Sequence, residues 1–91
     1  MKWKEYREYL LSKEDLAELE INELHYKLLR EIIKYRRERN LTQKELAEII
    51  GTKQSAISRL ESGKLNPSIG FLQKVADALN VKIDIKFIPE E

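Results

Sequence analysis

With 91 residues, no cysteine and one histidine, the chain is sized for a single small domain; it can form no disulfide or thiolate metal site, and His25 alone builds neither a metal centre nor a catalytic triad. No apolar run approaches the ~20 residues that span a bilayer and no signal-peptide core is present, so a soluble cytoplasmic protein without a membrane partner is expected. The net charge of +1 is unevenly spread: residues 26–74 carry eleven Lys and Arg against five Asp and Glu, between acidic ends. That distribution suits a central nucleic-acid surface, and equally a set of solvated helix faces.

The opening residues, KWKEYREYLL, place Trp3, Tyr6, Tyr9 and Leu10 at helical spacing, an aromatic stripe on a short helix. Such a stripe either packs on the body of its own chain or waits for another protein. Ser12 and Asp15 restart a helix, and Leu16, Leu19, Leu24 and Leu28 extend an apolar line. The longest helix is predicted over 23–39, carrying Leu24, Leu28, Leu29, Ile32, Ile33 and Tyr35, and its basic end suits the helix dipole.

Residues 41–63, LTQKELAEIIGTKQSAISRLESG, hold two short helical patterns around one glycine. Thr42 with Glu45 three residues later forms a capping box, and Ala47 is small enough to let a second helix cross closely. Gly51 falls where the chain must turn, a place for positive φ. Thr52 is predicted to cap a second helix whose inner residues are Ala56, Ile57 and Leu60, and Gly63 stops it. Two such helices around a tight turn describe a helix-turn-helix. Pro67 then keeps Asn66 out of a helix, and Ser68 caps a further one in which Ile69, Leu72, Val75, Ala76 and Leu79 face inward before Asn80 ends it. Beyond it the period changes to two: Val81, Ile83, Ile85 and Phe87 alternate with Lys82, Asp84 and Lys86 up to Pro89, which predicts one strand. A lone strand cannot satisfy its own backbone groups, so antiparallel pairing with a twofold-related copy, and hence a homodimer, is expected; pairing with a partner's sheet is the alternative.

Paired acids with a base, a nucleophile beside a histidine and a phosphate-cradling glycine loop are all lacking, so neither an enzyme nor a cofactor is expected. For DNA, the second helix of the motif turns Gln54, Ser55, Ser58 and Arg59 away from Ile57 and Leu60. Gln can bridge adenine N6 and N7, Arg can bridge guanine O6 and N7, and Ser is permissive. Lys53 suits a phosphate, Gln43 at the first turn of the preceding helix suits another, and Lys44 and Lys64 add electrostatic contacts. The plain alternative is that these are polar residues facing solvent.

Residues 41–79 resemble the Cro/XRE family of phage repressors and bacterial regulators, on Gln43, Ala47, Gly51, Ile57 and Leu60 at the family's spacing, followed by ESGK and NPS. The resemblance implies an arginine of the first helix, here Arg36, paired with the glutamate ending the recognition helix, here Glu61; neither would then read bases. The opening WKEYREYLL, the Leu-rich segment, the long helix and the closing VKIDIKF look like HigA-type antitoxins. That implies a double-stranded operator as one partner and a RelE/HigB-like toxin as another, with the Trp3 stripe docking the toxin.

The expected fold is all-α: a five- to six-helix XRE-type helix-turn-helix domain over 22–80, an N-terminal helical extension over 1–21 and a short dimerising strand over 81–88. The expected function is autorepression by the antitoxin of a toxin–antitoxin pair. A stand-alone regulator, and an interaction module that no longer engages DNA, are the alternatives.

Overall fold

The structure, a computed structural model, describes residues 2, 4, 5, 8 and 23–90. Trp3, Tyr6, Tyr9 and Leu10, and the caps expected at Ser12 and Asp15, lie outside the described residues; Lys4, Glu5 and Glu8 are helical. Four helices follow: α1 (Glu23–Glu38), α2 (Gln43–Ile50), α3 (Gln54–Glu61) and α4 (Ile69–Ala78).

Each boundary has a local cause. At the end of α1 the Leu41 N–H donates to the Arg36 carbonyl (3.1 Å) and Asn40 to Arg37 (3.0 Å), with Asn40 left-handed at φ 54°. Asparagine tolerates that conformation better than most residues, which is why the helix stops there. The α2 capping box is complete: the Glu45 N–H donates to Thr42 Oγ1 and the Thr42 N–H to Glu45 Oε1, both at 3.0 Å. Gly51 closes α2 at φ 83°. A Cβ there would meet nothing within 4 Å, so its requirement is conformational and not one of space. Ser68 caps α4 by accepting the Phe71 N–H at 3.1 Å.

α2 packs on α3 and α4, and α1 packs on α3. One core joins Ile32 of α1, Leu46 and Ala47 of α2, Ile57 and Leu60 of α3, and Val75 and Leu79 at the end of α4. Leu46, Ile57 and Leu60 have no exposed surface, whereas Ala47 is small enough for α3 to cross α2 closely.

Several expectations need correcting. Thr52 does not cap α3: the N-cap is Lys53, whose side chain has no acceptor and makes no capping bond, while the Thr52 N–H donates back to the Ala47 carbonyl. Leu24 and Ile69 are not inward-facing, at 77% and 64% exposed. Both stand in the first turn of a helix, where periodicity assigns a face that no neighbouring element covers among the described residues. Tyr26, not singled out from sequence, is buried instead. The strand expected over 81–88 is not formed in the single chain; residues 81–90 have no regular structure. A strand exists only as part of a ladder, and no second strand stands among the described residues. Val81 still packs on the core, but Ile85 and Phe87 are exposed.

Candidate nucleic-acid interface

The inner face of α3 is fixed by Ile57 and Leu60, both fully buried, and this decides what its outer face presents. Gln54, Ser55, Ser58 and Arg59 are all exposed along it, with Lys53 exposed at its start. None of these five side chains has a hydrogen-bond or ionic partner among the described residues. Lys53, Ser55 and Arg59 flank a shallow concavity floored by Gly51, Ala56 and Leu65. The loop after α3 folds back over that helix's end: the Lys64 and Leu65 N–H groups both donate to the Arg59 carbonyl, at 3.0 and 3.2 Å. Lys64 is thereby tied to the end of α3, its side chain exposed. Lys44 is exposed in the first turn of α2.

The far end of α3 is held by ions. Arg36 of α1 grips Glu61 with both prongs, Nε to Oε2 at 2.6 Å and Nη2 to Oε1 at 2.9 Å. Its remaining prong, Nη1, donates to the Leu41 carbonyl at 2.8 Å. The two side chains are only 12% and 6% exposed, so the pair is largely withdrawn from water. Hydrogen bonding to Glu61 raises the already high pKa of Arg36, against partial desolvation, and the guanidinium stays charged throughout. All three of its nitrogens thus donate to the body of the protein.

Gln43 stands at the first residue of α2, as expected, and its side chain has a partner that the sequence did not indicate. Its Nε2 donates to Glu61 Oε1 at 3.1 Å, so the first residue of α2, the last of α3 and the end of α1 meet at one carboxylate. One N–H and the amide oxygen of Gln43 remain outside that bond. Sequence spacing gives no sign of this contact, which exists only because three helix ends converge. Tyr35, one turn before the end of α1, has Lys34 Nζ 5.1 Å and Arg39 Cζ 5.2 Å from its ring centre, which holds the basic run against the helix.

The chemistry available is therefore a ridge of donors and acceptors on a short rigid helix, with cations at its start and flank. A helix of this width enters a DNA major groove, and its exposed side chains are of the types that read base edges. Among the described residues no cluster of acids and histidine could hold a metal, and no helix is long and apolar enough to cross a membrane.

Comparison with known proteins agrees with this geometry. The sequence profile of the helix-turn-helix family matches residues 32–86, which includes all of α2, α3 and α4. A protein of Archaeoglobus fulgidus described as an "uncharacterized HTH-type transcriptional regulator" is 42% identical over 60 residues, 66% of this chain and 84% of its own length. One of Haemophilus influenzae with the same description is 30% identical over 83 residues, 91% of this chain and 82% of its own. A third, of Methanocaldococcus jannaschii, is 40% identical over 57 residues, 63% of this chain and 86% of its own.

Proposed function

The chain belongs to the helix-turn-helix family of DNA-binding transcription regulators, and from that premise we propose that it is a sequence-specific repressor that binds its operator as a homodimer and acts as the antitoxin of a toxin–antitoxin pair. The strongest support is the outer face of α3, where five polar or cationic side chains stand exposed with no partner among the described residues. Arg59 and Gln54 are of the types that bridge guanine and adenine, Ser55 and Ser58 adapt to either, and Lys53 suits a phosphate. Gln43 keeps one N–H on Glu61 and has a second to give a phosphate, with Lys44 and Lys64 adding charge on either side.

Binding measured on the chain's own promoter and on random DNA of equal length tests these roles. Arg59→Ala costs about 1–3 kcal/mol of discrimination between the two, whereas Lys53→Ala weakens both alike and flattens the salt slope by about one unit. Equal losses on both DNAs for Arg59→Ala remove it from base readout.

The toxin-binding part rests on the likeness of both chain ends to HigA-type antitoxins, with Trp3, Tyr6, Tyr9 and Leu10 as the docking stripe and a RelE/HigB-like toxin as the ligand. The Haemophilus influenzae relative, matched over 91% of this chain, supports a likeness that extends beyond the helix-turn-helix itself. A stand-alone regulator is the second reading, favoured by the relatives' description as transcriptional regulators. Co-expression with the product of the adjacent gene separates the two: capture that is lost when Trp3, Tyr6 and Tyr9 become alanine supports the antitoxin, and absence of capture supports the lone regulator.

A further inference from the structure

Past Asn80 the chain turns a fixed corner and then carries exposed apolar residues. Asn80 is left-handed at φ 57°, and the Val81 N–H donates to the Ala76 carbonyl at 2.9 Å, which ties the start of the tail to α4. Ile83 lines an open groove of about 590 Å³ between α1 and α4, together with Leu28, Ile32, Tyr35, Leu72 and Leu79. Ile85 is 60% exposed, Phe87 93% and Ile88 80%, in a segment with no ladder among the described residues.

Symmetry and charge together restrict how this segment can pair with a second copy of itself. Residues directly opposed in an antiparallel pair share a face of the sheet, and a twofold axis perpendicular to the sheet preserves faces. The axis must therefore pass through a residue position and not between two. Centred on Asp84, the pairing sets Asp84 against Asp84 and Lys82 against Lys86 twice, so every charged contact is repulsive. Centred on Lys86, it opposes Lys86 with itself and leaves Asp84 facing Ile88. Centred on Ile83, the ladder stops at the Val81–Ile85 pairs because Leu79 is buried and Asn80 forms the corner, so Phe87 and Ile88 stay unpaired and exposed. Centred on Ile85, it sets Asp84 against Lys86 twice, Ile83 against Phe87 twice and Ile85 against itself. That register makes both Asp84–Lys86 pairs attractive and gathers Ile83, Ile85 and Phe87 on one face, with Lys82 facing Ile88 only at its two ends.

We propose that two copies of the chain pair antiparallel through residues 81–88 with Ile85 on the twofold axis, so that Phe87 of each copy lies beside Ile83 of the other at the mouth of the apolar groove. It rests on the homodimer reading above and specifies its register, the occupant of the groove and the residues that choose it. The aromatic ring left exposed in the single chain then covers the groove left open in its mate.

The chain contains no cysteine, so a single introduced thiol reports only on its own position. Opposed residues on the axis have Cα atoms about 4.5–5.5 Å apart, within disulfide reach, whereas a residue one position off axis is about 8 Å from its symmetry mate. Four full-length variants, Ile83→Cys, Asp84→Cys, Ile85→Cys and Lys86→Cys, are oxidised with glutathione disulfide and resolved on non-reducing gels. Ile85→Cys is expected to yield about tenfold more covalent dimer than any of the others. A maximum at 83, 84 or 86, or equal yields at all four, overturns the register. Sedimentation of the unmodified chain separates the two levels: a monomer at all concentrations overturns both homodimer and pairing and leaves the groove to a different protein, while a dimer that Ile85→Cys fails to lock overturns the pairing alone. As a second check, Asp84→Lys and Lys86→Asp each weaken the homodimer about tenfold, and an equimolar mixture of the two recovers it because the mixed dimer regains both ion pairs. Failure to recover on mixing overturns the charge pairing.

Discussion

Ile57 and Ile85 are the same residue type, each set in a stretch where apolar and polar side chains alternate by a clear rule, yet one has no exposed surface and the other is 60% exposed. The difference between the helix-turn-helix and the tail lies in where their partners are. In the body, the apolar side of each helix meets another helix of the same chain, and the helix ends are closed by Thr42, Gly51, Ser68 and Asn80. In the tail, the backbone groups of residues 83–88 and the side chains of Ile85 and Phe87 have no such counterpart among the described residues. Amphipathic pattern determines which side a segment would bury; a covering element must exist for burial to follow.

Substitution across the two regions measures the contrast directly. Leu60→Ala removes a fully buried side chain where α3 crosses the core and should cost about 3 kcal/mol of stability, while Ile85→Ala should cost less than about 0.5 kcal/mol at concentrations that keep the chain monomeric. Urea denaturation of both variants decides the point; comparable losses would make the tail part of the monomer's core and dissolve the distinction.

A comparable effect belongs to the ion pair that braces the body. Arg36→Met leaves the Glu61 carboxylate largely buried with only the Gln43 amide to bind it, and should cost about 3 kcal/mol. Adding Glu61→Leu removes the stranded charge and should recover most of that loss. A double variant no more stable than Arg36→Met would show that the pair positions α1 by more than charge neutralisation.

The smallest effect belongs to the α2 cap and depends on pH. The Thr42 N–H, and after it the Thr42 hydroxyl, hold the Glu45 carboxyl below its ordinary pKa. A carboxylate whose pKa is lowered by folding contributes stability that is complete above its unfolded value of about 4.3 and is lost as pH falls through the depressed native value. Glu45→Gln keeps an acceptor for Thr42 but does not titrate, so the stability difference from the parent chain should be constant near neutral pH and shrink in acid. Thermal melts at a series of pH values from 7 to 3 measure it, and a difference that grows in acid would reverse the assigned sign.

How much of this was legible from sequence follows the range of the interactions. Thr42, Gly51, Gly63, Ser68 and Asn80 act within a few residues of themselves, so their spacing alone reveals the turns they make. Thr52 shows the limit of that logic, because its N–H still closes the end of α2 on the Ala47 carbonyl and α3 begins one residue later, with Lys53 at the N-cap. The Gln43–Glu61 bond joins residues 18 positions apart and depends on where three helix ends converge. Leu24 and Ile69 obey the helical period and are exposed all the same. On the outer face of α3 the sequence was most informative, since Ile57 and Leu60 fix the inner face and the exposed side follows by geometry.

Glu61 also acts as a permanent counterion. It neutralises Arg36 before DNA arrives, so this guanidinium is not available to neutralise a phosphate and displaces none of the cations condensed on the DNA backbone. Of the eleven Lys and Arg in the basic stretch, Arg36 therefore adds nothing to the ionic-strength dependence of binding, and the salt exponent counts only cations the fold leaves unspoken for.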